Sequence, residues 1–195
     1  MILQNKIAIL TCWNGPYPWY FSYFIHSCSY NPTIAFYIIT DNQEPILNKP
    51  ENIKIIHRTL EELVLSASNK LGFSITVGYP YKLCDFKLAY VYIFSDLVQD
   101  YDFWGYGDID IIFENIRNFI TDEILNEYDV ITLRHDFLIG YFSLFRYIEK
   151  LTKLYSHSKD YRKVFENSIH FFLMKLIFTS MNLPKESTIL KLAAK

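Results

Sequence analysis

In the segment Asp100-Tyr-Asp-Phe-Trp-Gly-Tyr-Gly-Asp-Ile-Asp-Ile-Ile-Phe113, two aspartates follow an apolar and aromatic run. Alternate side chains of a strand project to the same side, so Asp108 and Asp110 would project together if the segment stays extended. Two carboxylates at the end of a buried strand are unfavourable unless positive charge lies between them. A divalent cation that also holds a phosphate supplies that charge. The segment therefore predicts a metal and diphosphate site.

An Asp-x-Asp triplet also occurs in turns, where the aspartates cap backbone amides. The flanks favour the metal site here, because apolar residues stand on both sides of the triplet and a solvated turn would lack them. Carboxylate and diphosphate oxygens together suit Mn²⁺ or Mg²⁺. Such a cation would neutralise charge that builds up on a departing nucleoside diphosphate.

Short apolar runs alternate with helical patterns along the chain. A near-continuous apolar run is typical of a strand buried on both faces of a parallel sheet. The order of strands and helices predicts an α/β fold, a Rossmann-like and mainly parallel sheet flanked by helices. The predicted strands are 6–12, 33–40, 53–57, 102–106, 129–133 and 138–145.

The helix predictions rest on apolar periodicity and on local start and stop signals. Thr59 and Glu62 form a capping box at the start of one helix, and Gly72 is placed to end it. A further helix is expected from about Phe86–Leu88 to Leu97. The other predicted helical segments are 19–30, 113–125, 147–156 and 160–165.

Polar residues follow three of the predicted strands. Trp13 and Asn14 follow the first, Asp41 follows the second, and the double aspartate follows the strand at 102–106. Ligands of open α/β sheets bind outside the carboxyl ends of the strands. These residues are therefore candidates for one binding site, although Asp41-Asn42 is also ordinary turn chemistry.

Asp85 and Lys87 stand just before the helix expected after them. Lys87 could contact a diphosphate, and Asp85 could accept a hydrogen bond from a ribose or sugar hydroxyl. The alternative is an aspartate that caps the helix and a solvated lysine.

Asp136 and Gly140 are candidates in the later part of the chain. Asp136 could hold a donor-sugar hydroxyl or act as an acceptor base, and Gly140 could let a sugar ring approach the backbone. A loop aspartate and a packing glycine are the alternatives.

The composition suits one domain with a substantial core, since 51% of the 195 residues are hydrophobic. The net charge of −2 argues against a nucleic-acid partner. Three cysteines without a Cys-x-x-Cys pair indicate a reducing compartment. No apolar run is long enough to span a bilayer, so we expect a cytoplasmic protein that touches the inner face of a membrane only through its substrate or partner.

Several blocks of the sequence resemble a bacterial glycosyltransferase-like family of poorly characterised proteins, related to GT-A enzymes that build surface polysaccharides. The most specific block is Phe103-Trp-Gly-Tyr-Gly-Asp-Ile-Asp110. The other blocks are Lys6-Ile-Ala-Ile-Leu-Thr-Cys-Trp-Asn14, Ile38-Ile-Thr-Asp41, Cys84-Asp-Phe-Lys-Leu-Ala-Tyr90, Leu133-Arg-His-Asp136 and Gly140-Tyr-Phe-Ser-Leu-Phe-Arg146.

The resemblance implies a GT-A-like fold, a nucleotide-sugar donor and a divalent metal held by Asp108 and Asp110. It also implies donor-site roles for Asp85 and Lys87. Similar proteins usually continue further and supply a histidine metal ligand from a later segment, a pattern that residues 171–195 do not match. We therefore expect residues 1–195 to form one glycosyltransferase-like domain that lacks this C-terminal segment.

The expected function is metal-dependent transfer of a sugar from a nucleoside-diphosphate sugar, with UDP as the expected nucleotide, to a glycan or lipid-linked acceptor in surface polysaccharide synthesis. Two alternatives stay open. One is a nucleotidyltransferase, which would more often carry a Gly-rich phosphate loop near the first strand. The other is a non-catalytic module that binds nucleotide sugars or takes part in interactions, a reading that the missing C-terminal segment favours.

Overall fold

The computed structural model describes residues 4–134 and 138–173, together with the backbone of 189–191. Within these ranges seven strands form one sheet in the order β3-β2-β1-β4-β6-β5-β7. The strands are β1 (Ile7–Trp13), β2 (Ile34–Thr40), β3 (Ile53–His57), β4 (Phe103–Gly107), β5 (Val130–Thr132), β6 (Phe142–Arg146) and β7 (Ile189–Lys191).

The central strands are buried on both faces, as their continuous apolar sequences predict. Strand β1 runs parallel to β2 and β4, and β2 runs parallel to β3. Strand β6 is antiparallel to β4 and β5, and β5 is parallel to β7. The mainly parallel α/β sheet expected from the sequence is therefore confirmed.

Helices cover both faces of this sheet. Along β1, Ala8 and Leu10 belong to one buried core, while Ile7 and Ile9 belong to the core on the opposite face. The helices are α1 (Phe21–Ser29), α2 (Leu60–Leu71), α3 (Tyr90–Ile93), α4 (Ser95–Val98), α5 (Asp122–Glu127), α6 (Glu149–Thr152) and α7 (Tyr161–Glu166). Short 3₁₀ helices span Pro80–Ala89, Ile116–Asn118 and Leu154–His157.

The predicted capping box of α2 is confirmed. The Thr59 side chain accepts a hydrogen bond from the Glu62 amide, and the Glu62 carboxylate accepts one from the Thr59 amide. Gly72 ends the helix in the left-handed conformation with φ of 79°. Here the local signals were sufficient, because all the partners lie within a few residues of one another.

Two local predictions need correction. The helix expected from Phe86 to Leu97 is a 3₁₀ helix followed by the short helices α3 and α4. The helix expected over 113–125 is a 3₁₀ helix at Ile116–Asn118 and the separate short helix α5. The condition that the chain stays extended through the double aspartate is not met, because pairing of β4 with β6 ends at Gly107 and a turn begins at Ile109. The Ile109 side chain is buried, so the hydrophobic effect draws the chain inward between the two carboxylates.

Gly105 permits β4 and β6 to pack closely at the middle of the sheet. A Cβ atom at this position would lie 2.4 Å from Leu144 Cδ2 and 2.5 Å from the Ser143 carbonyl oxygen. A backbone oxygen cannot rotate away as a side chain can, so the contact requires glycine. This glycine belongs to the aromatic block that leads into Asp108.

No helix in residues 4–134 and 138–173 is long and apolar enough to cross a membrane.

Candidate functional site

A cleft of about 310 Å³ opens where β1 and β4 end, beside the 3₁₀ helix Pro80–Ala89. This is the edge at which open α/β sheets bind ligands. Five predicted site residues meet there, namely Trp13, Asn14, Lys87, Asp108 and Asp110. The rest of the lining is Thr11, Cys12, Tyr20, Pro80, Tyr81, Leu83, Cys84, Tyr90 and Ile109.

Lys87 connects both sides of the cleft. Its ammonium group donates to Asp108 Oδ1 and, over 2.7 Å, to the carbonyl oxygen of Gly140. The Lys87 side chain is 6% exposed, whereas that of Asp108 is 36% exposed. Gly140 therefore lies at the site through its carbonyl group, and Lys87 places a positive charge beside the first aspartate.

The Asp108 carboxyl lies in a partly dehydrated environment. Burial raises its pKa above the ordinary value; the Lys87 ammonium opposes that rise, and the nearby Asp110 carboxylate adds to it. Its amide donates to the Tyr141 carbonyl oxygen over 3.0 Å, which fixes the residue after β4. Asp110 is exposed to solvent on the outer side of the turn.

Asn14 supplies an independent sign of a polar ligand. Both polar atoms of its side-chain amide are buried, and neither has a hydrogen-bond partner among the described residues. A buried polar group without a partner costs about 1–3 kcal/mol. Because Asn14 lines the cleft, a ligand with donors and acceptors would relieve that cost.

Asp41 supports the loop after β1 from outside the cleft lining. Its carboxylate accepts a hydrogen bond of 2.7 Å from the Gly15 amide, and Asn42 donates to the Gly15 carbonyl oxygen over 3.2 Å. Gly15 has a φ of 106°, a conformation that favours glycine. The predicted contact of Asp41 with a nucleoside stays a prediction; the geometry shows a carboxylate that holds the Trp13–Gly15 loop.

Asp85, for which the sequence predicts a donor-site role, lies outside the cleft lining. Its side chain is fully buried and faces away from the cleft, where it pairs with the Lys82 ammonium over 2.9 Å. The same carboxylate accepts hydrogen bonds from the amides of Phe171 and Leu173. The Asp85 carboxylate thus binds the protein's own later segment, and its predicted contact with a donor hydroxyl stays a prediction.

Cys28 is buried in the core, as a small hydrophobic residue would be. Cys12 and Cys84, however, line the cleft. Burial raises the pKa of the Cys12 thiol to about 12 and also raises that of Cys84. Both thiols are therefore neutral near pH 7, and neither is an activated nucleophile. Cys12 stands two residues before Asn14 and Cys84 stands three residues before Lys87, and this closeness in sequence was the signal that both thiols lie near the site.

The carboxylates of Asp108 and Asp110 are ligands of the type that a hard divalent cation prefers. Asp108 and Asp110 both offer carboxylate oxygens. Of the two Asp108 oxygens, Lys87 hydrogen-bonds to Oδ1, and Oδ2 has no hydrogen bond from Lys87 among the described residues. Residues 4–134 and 138–173 contain no group of three or more His, Cys, Asp or Glu side chains that could hold a metal. The predicted site residue Asp136 lies outside the described residues.

The sequence matches the model of a family of unknown function, DUF6625, over residues 9–185. Mouse xyloside xylosyltransferase 1, in its apo form, superposes with a TM-score of 0.51 at 12% identity, over 95% of this chain and 84% of that one. The galactosyltransferase LgtC, in a complex with donor and acceptor sugar analogues, gives a TM-score of 0.47 at 10% identity, over 88% and 69%. The glycosyltransferase GlyE of Streptococcus pneumoniae gives 0.43 at 14% identity, over 95% and 45%.

No curated protein matches the sequence. At these identities the likeness to solved structures concerns the fold alone. The superposition on the xylosyltransferase agrees with the α/β sheet described above and gives the chain a GT-A-like fold.

Proposed function

We propose that this chain, which belongs to the family of unknown function DUF6625, is a metal-dependent glycosyltransferase. It would transfer a sugar from a nucleoside-diphosphate sugar, with UDP as the expected nucleotide, to a hydroxyl of a glycan or lipid-linked acceptor. Donor, metal and acceptor are all parts of the proposal. The GT-A-like fold supports it, because the mouse protein on which the chain superposes is a xylosyltransferase.

The observation that carries the proposal is the charge arrangement in the cleft. A lysine ammonium and two carboxylates meet at the carboxyl ends of β1 and β4, and the unpartnered amide of Asn14 lines the same cleft. A diphosphate has both the negative charge that Lys87 attracts and the oxygens that a carboxylate-bound cation shares.

Each residue has a defined part in binding the donor. Lys87 would donate to a diphosphate oxygen while it keeps Asp108 in position, and the Asn14 amide would pair with polar groups of the nucleotide. Trp13 would form one wall, since its indole N–H donates to the Pro16 carbonyl oxygen over 3.0 Å and is fixed by that bond. Asp41 would act indirectly by holding the loop that carries Trp13 and Asn14.

Asp108 and Asp110 would hold the divalent cation, which when bound supplies Lewis-acid stabilisation of the leaving diphosphate. In the reaction, a bond forms between the acceptor oxygen and the anomeric carbon of the donor sugar. The bond from that carbon to the diphosphate oxygen breaks, and the nucleoside diphosphate leaves with the electron pair. The acceptor hydroxyl gives up its proton; we assign no residue as the base.

Turnover is tested with a panel of UDP-sugars incubated with Mn²⁺, with release of UDP as the measurement. We expect slow hydrolysis of at least one UDP-sugar by the wild type and none by Asp110→Ala. Asp100→Ala is the matched control, because Asp100 is an exposed aspartate in the same segment and lies outside the cleft lining. If UDP binds but no sugar is released from any member, the chain is a non-catalytic binding module and the transferase proposal is wrong.

A further inference from the structure

A second concave surface, the aromatic groove, lies beside the cleft and has a volume of about 490 Å³. It runs along one face of α1 and is closed on one side by the chain that follows the double aspartate. Its lining consists of Tyr20, Tyr23, His26, Ser27, Tyr30, Asp110 and Ile112.

Large aromatic side chains stand exposed along this face. Trp19, Tyr23 and Tyr30 are 84%, 60% and 55% exposed. Trp19 precedes α1, Tyr23 lies within it and Tyr30 follows it, and spacings of four and seven residues place all three on the same side. The rings support one another: the centroids of Trp19 and Tyr23 lie 6.3 Å apart, edge to face. A contiguous exposed aromatic surface of this kind marks a binding site more often than a lone exposed side chain does.

The aromatic groove is continuous with the cleft. Tyr20 and Asp110 line both, so a ligand in the groove would meet a ligand in the cleft at the second aspartate. In the proposed function the reacting end of the donor sugar lies next to the diphosphate, close to the same carboxylates. The groove is therefore on the path by which an acceptor would approach.

The chemistry of the lining selects the class of ligand. Tyrosine rings offer flat apolar faces, and their hydroxyls offer hydrogen bonds beside those faces. His26 Nε2 and Tyr30 Oη lie 3.1 Å apart at one end, and the Asp110 carboxylate stands at the other. No lysine or arginine is among these lining residues of the described chain, which disfavours a phosphate or other anion. A neutral pyranose has the matching surface, with apolar C–H faces and a rim of hydroxyls.

We propose that the aromatic groove binds the sugar acceptor, a neutral glycan whose pyranose ring stacks on Tyr23 while Trp19 borders the ring from beside the groove. The inference rests on the proposed transferase function, because only a transferase needs an acceptor beside the donor. It assigns to α1 a role in specificity that the double aspartate does not have. The terminal hydroxyl of the glycan would point towards Asp110 and the donor sugar.

The three tryptophans of the chain serve as separate probes of ligand binding in the cleft and in the groove. Trp13 lines the cleft, Trp19 is exposed beside the groove, and Trp104 is fully buried in the core. Their indole N–H signals are recorded by ¹H–¹⁵N NMR on the full chain and assigned with single Trp→Phe variants. UDP with Mg²⁺ is titrated first, and the methyl glycosides of glucose, galactose, mannose, xylose and N-acetylglucosamine follow.

We expect UDP to shift the Trp13 signal and at least one glycoside to shift the Trp19 signal, with Trp104 unchanged. Tyr23→Ala should weaken binding of the glycoside by about twofold to tenfold, since an aromatic contact contributes about 0.5–1.5 kcal/mol. Phe119→Ala is the matched control, because Phe119 is 51% exposed and lies outside the groove lining. This control should leave glycoside affinity unchanged.

Failure of this inference and failure of the proposed function give different spectra. Glycosides that shift Trp13 alone, or that shift no tryptophan, would overturn the acceptor groove even when UDP binds. Trp19 broadening that grows with protein concentration and disappears in Tyr23→Ala would show a contact between copies of the chain and would also overturn it. Absence of any UDP effect on Trp13 would instead count against the donor cleft.

Discussion

Two lysine–aspartate pairs arise from the 3₁₀ helix Pro80–Ala89, and they are built in opposite ways. The pair of Lys82 and Asp85 is fully buried, and both side chains are 0% exposed. The pair of Lys87 and Asp108 lies at the wall of the cleft, where the aspartate side chain is 36% exposed. One short segment thus contributes a closed ion pair to the core and an open one to the candidate site.

The closed pair has protein partners for each of its charges. The Lys82 ammonium also donates to the carbonyl oxygens of Val164 and Ile169, and the Asp85 carboxylate also accepts from the amides of Phe171 and Leu173. A buried charge pair is tolerated only when its remaining hydrogen bonds are made within the protein. This pair therefore fastens the segment after α7 to the body of the domain.

The open pair lacks such closure. Lys87 reaches Asp108 and the Gly140 carbonyl oxygen, and the neighbouring Asn14 amide has no partner among the described residues. We infer that a charge pair whose hydrogen bonds are all made within the protein is structural. Polar groups that lack hydrogen-bond partners beside a cleft indicate a ligand-binding site.

The largest expected effect is on stability, from Lys82→Met. The substitution leaves the Asp85 charge buried without its cation, so we expect the free energy of unfolding to fall by about 3–5 kcal/mol. Urea denaturation of the variant and the wild type measures the change. Arg162→Met is the control, because Arg162 pairs with Glu166 at the surface and should cost less than about 1 kcal/mol.

A loss of similar size in Lys82→Met and Arg162→Met would contradict the closed pair's role. The double variant Lys82→Met, Asp85→Leu should recover part of the stability, because it no longer buries a lone charge. It should not recover all of it, since the amides of Phe171 and Leu173 lose their acceptor.

The next effect is on binding, from Lys87→Met. Loss of a charged hydrogen bond to the diphosphate should weaken UDP by about tenfold to hundredfold, since such bonds contribute about 1.5–3 kcal/mol. Stability should fall less than in Lys82→Met, because water can solvate the exposed side of Asp108. Calorimetry measures the affinity and urea denaturation the stability. If Lys82→Met and Lys87→Met lowered the free energy of unfolding by the same amount, the two pairs would not differ as closed and open pairs.

The smallest expected effect on stability comes from Asn14→Leu, and its direction is informative. This substitution removes two buried polar atoms without partners, so the free energy of unfolding should stay unchanged or rise by about 1 kcal/mol. UDP affinity should fall in the same variant, because the ligand loses its amide partner. A clear loss of stability with unchanged UDP affinity would show that Asn14 is a structural residue.

Local patterns predicted the first half of the sheet well. The boundaries of β3 agree with the prediction, and the capping box of α2 formed as expected, because apolar runs and caps act between neighbours in sequence. The single helix expected from about Phe86–Leu88 to Leu97 proved to be the end of a 3₁₀ helix followed by two short α-helices. Its conformation depends on partners far along the chain.

In the candidate site, too, the positions set by local sequence patterns could be predicted, whereas those set by partners distant in sequence could not. Strand order brought Trp13, Asn14 and Asp108 to one sheet edge, so their convergence could be predicted. The burial of Asp85 could not be predicted, because its hydrogen-bond partners include backbone amides 86 and 88 residues away along the chain. Nor could the pattern show that β4 ends at Gly107 and that Ile109 then turns into the core between the two aspartates.

Calorimetric titration of UDP, with and without Mn²⁺, tests the central claim most directly. It is carried out on the wild type, on Asp110→Ala and on the exposed control Asp100→Ala. We expect Mn²⁺ to raise the UDP affinity of the wild type and of Asp100→Ala by about tenfold or more, and Asp110→Ala to lose this gain. Equal UDP affinity with and without Mn²⁺ in all three proteins, or no UDP binding to the wild type, would contradict it.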